Sequence, residues 1–64
     1  MDNTADITRL YNAEGIHRNE ADDLRRKASE RGHGSQAGRR FLRLALDVDR
    51  QAEHCLRLRR NLLA

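Results

Sequence analysis

No proline interrupts this chain, and its β-branched residues are confined to Thr4, Ile7, Thr8, Ile16 and Val48. Little except glycine therefore stands in the way of helix between the termini. Tryptophan is absent and the aromatics are Tyr11 and Phe41 alone, which removes the stacking platform that single-stranded nucleic acids use. A single cysteine, Cys55, excludes an intrachain disulfide, and no Cys/His cluster with zinc-ligand spacing takes its place. No apolar run is long enough to span a bilayer, and "MDNTADITRL" carries acids where a secretory signal would carry bases and then an apolar core. A soluble, cytoplasmic protein is the expectation. At 64 residues the chain also falls below the about 70–80 residues under which one core rarely supplies more than about 3–5 kcal/mol. With disulfides and metals set aside, oligomerisation is the remaining route to stability.

What is present is charge and helix former. The chain carries 13 basic residues against 10 acidic ones, and all the bases but Lys27 are arginine. Three of the four glycines fall in "GHGSQAG", Gly32 to Gly38. Upstream, "DLRRKASERG" ends in bases that suit a helix C-terminus, followed by a glycine able to cap it. Downstream, Ser35 is a good N-cap, and at the start Asn3 or Thr4 can serve, with Asp6 in the first turn. The pattern predicts an all-α fold in a single domain: helix over about 4–31, a loop at 32–35 and a second helix over about 36–63. So short a loop makes the helices antiparallel neighbours.

Heptad columns predict which faces meet. In the second helix, Phe41, Val48, Cys55 and Leu62 form one column and Leu44, Gln51 and Leu58 another, widened by Ala45 and Ala52. The first helix answers with Ile7, Leu10, Glu14, His17, Ala21, Leu24 and Ala28. Folding at Gly34 sets Ile7 near Leu62, Leu10 near Leu58, Ala21 near Val48, and Leu24 near Leu44 and Ala45. Glu14, His17 and Gln51 then form a polar layer near Cys55. A second apolar side, Leu42, Leu46, Leu56 and Leu63, has no partner in a lone hairpin and forfeits about 1.5–3 kcal/mol per exposed leucine. The expected remedy is a homodimer, two hairpins forming a four-helix bundle. The first 30 residues hold seven acids and five bases while the remainder holds three acids and eight bases, so the paired helices attract.

Catalytic signals are missing. His54 and Cys55 are neighbours, hence about 100° apart on a helix and poorly set to share a metal or act as base and nucleophile. No cofactor or metal is expected, and no enzyme. His17 is read as a seam residue and Cys55 as a small buried hydrophobe. In "RRFLRLALDVDRQAEHCLRLRR", Arg39 to Arg60, the stripe Arg43, Arg50 and Arg57 is interleaved with Asp47 and Glu53 at ion-pair spacing. Positive charge is left over at its ends, in Arg39 and Arg40 and in Arg59 and Arg60. The predicted partner-binding surface is Leu42, Leu46 and Leu56 ringed by Arg39, Arg40, Arg43 and Arg60, with Tyr11 as a further contact.

The plan helix, "GHGSQAG", helix, with a polar central layer, resembles the Rop/Rom family of small plasmid-encoded RNA-binding proteins. That resemblance implies a dimeric four-helix bundle in which one polar face of paired helices contacts RNA loops. The nearest equivalent face here, Asn19 to Arg26, carries Glu20, Asp22 and Asp23. The uncut hairpin "ADDLRRKASERGHGSQAGRRFLRLALDVDRQAEHC" is also similar to small phage and mobile-element accessory proteins, which implies a hairpin that binds and inhibits a host protein, including anti-activators of transcription factors. The favoured expectation is thus a dimeric helical adaptor or inhibitor of another protein. The alternative is structured RNA or DNA bound through the arginine-rich second helix. A third is a basic amphipathic helix at a membrane surface, against which three acids in Phe41 to Ala64 argue.

Overall fold

A computed structural model of the chain describes residues 3–64. Two helices, α1 (Thr4–Arg31) and α2 (Gln36–Leu63), fold back on each other as an all-helical hairpin, with no strand among the described residues. Their ends are set by local chemistry. Asn3 occupies the N-cap position of α1, but its side chain makes no capping bond; its carbonyl accepts from Ile7 N–H at 2.9 Å. At the other end Gly32 takes a φ of 89°, a region open to glycine and costly for residues with a Cβ. Its N–H donates to the Ser29 carbonyl at 3.2 Å.

Ser35 organises the turn. Its hydroxyl oxygen accepts from Gly38 N–H at 3.0 Å, and its proton is within reach of the carbonyls of Arg31 at 2.8 Å and Gly32 at 2.7 Å. One side chain therefore caps α2 and ties it to the end of α1. Gly38 is buried where α2 presses on the loop, and a Cβ added there would collide with the Gly32 carbonyl oxygen.

The centre of the hairpin seam is made of small residues. Ala21 and Ala28 of α1, with Ala45 and Ala52 of α2, are the buried hydrophobic residues, and no large side chain among the described residues is fully buried. Gly38, Ala45 and Ala52 recur every seven residues and form one stripe. Small side chains at a helix contact let the axes approach, and the larger residues of neighbouring columns are pushed to the flanks. Within one hairpin the expected seam is thus fully buried at its alanines only. Phe41, Val48, Cys55 and Leu62 are half-buried, Leu44 and Leu58 are 45% and 40% exposed, and Gln51 is exposed. Leu42 and Leu56, expected to lie free, are half-buried. Leu46 and Leu63 of that group remain exposed. On α1, Ile7, Leu10, His17 and Leu24 are half-buried.

Leu10, Leu58 and Leu62 line one cleft, in keeping with a fold-back near Gly34. The cross-helix ion pairs, however, join residues about one turn further along α2 than that fold-back predicts. Arg25 Nη1 meets Asp49 Oδ2 at 2.7 Å, Arg59 Nη1 meets Glu14 Oε1 at 3.0 Å, and Arg18 reaches Glu53 at 3.9 Å. With this register Ala21, Ala28, Ala45 and Ala52 are buried while the bulky residues are not.

Candidate interaction site

The two flanks of the seam differ in chemistry. Charge crosses one of them. Arg25 bonds Asp22 within α1 and Asp49 across the seam, and these contacts, Asp22 first, raise its pKa above the ordinary guanidinium value. Glu14 Oε2 accepts from Arg18 Nε–H at 3.0 Å while Oε1 faces Arg59. The Glu14 and Arg59 side chains are only 12% and 18% exposed. Arg59 Nη1 sits at ion-pair distance but outside hydrogen-bond geometry, so Coulombic attraction holds the contact. The Arg59 guanidinium also lies 5.0 Å from the Tyr11 ring centroid, within cation–π range. Tyr11, Glu14, Gly15, Arg18 and Arg59 line a cleft of about 250 Å³ here.

This arrangement changes three expectations. The polar layer of Glu14, His17 and Gln51 does not assemble through hydrogen bonds: Glu14 is taken by two arginines, Gln51 is exposed, and His17 Nδ1 has only Glu20 at 3.8 Å. Arg59, expected to be uncompensated, is paired. Tyr11 is 64% exposed, but one side of its ring is occupied by that guanidinium. A cue to Arg59 was present in the numbering, since it continues the Gly38, Ala45, Ala52 column.

The opposite flank is apolar. Leu10, Leu58 and Leu62 line a cleft of about 310 Å³, bordered by Asp6, Arg9 and Asn61 at the open end of the hairpin. Continuing toward the loop, the same heptad columns carry Leu24, Leu44, Val48 and Phe41.

A third surface lies at the loop end of α2. Gln36, Arg39, Arg40 and Arg43 line a cleft of about 420 Å³. Its three arginines make no ion pair among the described residues, whereas Arg9, Arg18, Arg25, Arg26 and Arg50 each face a carboxylate. Asp47 pairs with Arg50 at 3.7 Å, and Glu53 turns to Arg18, so neither neutralises Arg43. Arg39, Arg40, Leu42, Arg43 and Leu46 thus share one end of α2. Arg60 does not belong with them, lying about 26 Å from Arg43 along the helix, and Leu56 is likewise remote. Gln36 is the lining residue that sequence reasoning missed; its place in the first turn of α2 was the available signal.

No group of three His, Cys, Asp or Glu among the described residues is placed to hold a metal ion. No described helix is long and apolar enough to cross a membrane. Comparison with family models, with curated proteins and with solved structures returned no match, so functional inference rests on this chain's own residues.

Proposed function

We propose that this chain is a non-enzymatic helical regulator that binds another protein, engaging an acidic and partly apolar surface with the loop end of α2. The observation behind the reading is the cleft of Gln36, Arg39, Arg40 and Arg43, with no carboxylate to neutralise it. Leu42 and the 58% exposed Leu46 adjoin it in sequence on the same helix. Guanidiniums beside an aliphatic side chain suit charge-assisted anchoring to a carboxylate-bearing helix. From Gln36 to Leu46 the patch runs about 15 Å. That length fits about three turns of a partner helix better than the successive grooves tracked on duplex RNA.

Structured RNA is the second reading, because the same three guanidiniums have the geometry to grip phosphate oxygens. Fluorescence anisotropy of the full chain separates the two, using an acidic amphipathic helical peptide in one titration and an RNA hairpin in the other. The expected result is peptide binding that weakens at least tenfold in the triple variant Arg39→Glu, Arg40→Glu, Arg43→Glu, with helical circular dichroism unchanged. RNA binding with a steep salt dependence, and no peptide binding, would overturn the protein-binding reading.

A further inference from the structure

We propose that the outer face of α2 is a docking stripe for a helix of another protein, one that carries a carboxylate at every seventh residue beside an aliphatic column. The proposal rests on the protein-binding reading above and carries it from the loop end along the length of α2. Arg39, Arg43, Leu46, Arg50 and Arg57 are spaced by four, three, four and seven residues, which keeps them on one line of a helix. All five are exposed. On average the line is turned about 130° from the buried column Gly38, Ala45 and Ala52, so it faces out of the hairpin.

The fold leaves this line more positive than its spacing alone implies. Asp47 and Glu53 between them stand at ion-pair spacing from Arg43, Arg50 and Arg57, yet only Asp47 pairs along the helix, with Arg50 at 3.7 Å between two exposed side chains. Glu53 turns to Arg18 across the seam, and Asp49 is held by Arg25. Arg43 and Arg57 are therefore without an ion pair among the described residues, as are Arg39 and Arg40 beside them and Arg60 at the edge of the face. Leu46 sits among these cations 58% exposed, a large apolar side chain that the hairpin does not cover.

Spacing and charge together identify the occupant. Arg43, Arg50 and Arg57 repeat at about 10.5 Å of helical rise, and Arg39 and Leu46 form the neighbouring column of the same repeat. Columns with this period on one helix are met by columns of the same period on a second helix that crosses it at a shallow angle. A carboxylate at every seventh position of the partner meets the arginine column in charge-assisted contacts, and an aliphatic residue in its other column covers Leu46. From Arg39 to Arg57 the stripe is about 27 Å long, or about five helical turns. Nucleic acid suits it less, since Leu46 would be pressed against sugar and phosphate and the Asp47 carboxylate beside Arg50 repels a polyanion. A protein helix answers both, because its own neighbouring positions can be apolar or basic.

Fluorescence anisotropy of the full chain with two labelled peptides tests the stripe. One is a helix-forming peptide of about 21 residues, three heptads, with glutamate at every seventh position and leucine in the adjacent column. The other has the same composition with its glutamates distributed round the helix. The heptad peptide is expected to bind at least tenfold more tightly. Leu46→Ala and Arg57→Ala, both outside the loop-end cleft, are each expected to weaken its binding at least fivefold, with helical circular dichroism unchanged. Lys27→Ala removes one positive charge from an exposed position of α1 and is expected to alter binding less than twofold. Equal affinity for the two peptides would overturn the stripe and leave the loop-end reading standing. So would indifference to Leu46→Ala and Arg57→Ala while the triple variant of Arg39, Arg40 and Arg43 still loses binding. Failure of both peptides to bind, with or without binding of an RNA hairpin, would overturn both readings.

Discussion

Gly38 shows how much one missing side chain decides. Its position in α2 asks nothing special of φ, and in a solvent-facing turn alanine would gain about 1 kcal/mol in helix propensity. Here a Cβ would strike the Gly32 carbonyl oxygen, which is part of the backbone and cannot rotate away. Gly38→Ala is therefore expected to lower stability by about 1–3 kcal/mol, read as a reduced urea midpoint, despite its better propensity. Arg59 teaches a related lesson. Its charge was legible in the sequence, but its partner was not, because Glu14 lies 45 positions away and only the register of two helices brings them together. Sequence spacing finds i,i+3 and i,i+4 pairs such as Asp47–Arg50; it is blind to cross-helix ones.

Among the elements, the turn was the most legible and the seam the least. Ser35 as N-cap and Gly32 as terminator follow from residue type, since a hydroxyl can satisfy free N–H groups and a glycine can take positive φ. The heptad columns included Ala21, Ala28, Ala45 and Ala52, but they did not show that these alone are fully buried within one hairpin while Phe41, Leu44 and Leu58 stay part-exposed. A contact between two axes can be closest where side chains are smallest. That Gly38 continues the Ala45 and Ala52 column was the overlooked cue. If alanine sets the approach, enlarging it is harmful even though burial is gained. Ala52→Leu is expected to cost about 1–3 kcal/mol through overpacking, a loss visible as a lower thermal midpoint by circular dichroism at fixed protein concentration.

For the whole molecule, the central fact is that one hairpin leaves its large apolar side chains part-exposed. Surface ion pairs such as Arg9–Asp6 and Arg26–Asp23 do not make up the deficit, each being worth about 0–1 kcal/mol in water. The homodimer expected from the heptad columns would, and its stability would then follow mass action. Each tenfold rise in protein concentration is expected to add about 1.4 kcal/mol to the unfolding free energy per dimer. Calorimetry across two decades of concentration checks this as a rising thermal midpoint. The loop-end arginines line a different cleft from Leu10, Leu58 and Leu62.

The sequence by itself determined that this chain is helical, that it breaks at Gly32 to Ser35, and that its two arms carry opposite charge bias. These depend on propensity, capping and counting, all local to the chain. Only the tertiary structure decided that the alanines alone are fully buried at the seam, that Glu14 and Arg59 meet, and that charge crosses one flank of it. Each of those depends on the rotation and offset of one helix against the other. A change of about one turn in that offset reassigns every cross-helix neighbour while leaving both helices, and nearly every local hydrogen bond, unchanged.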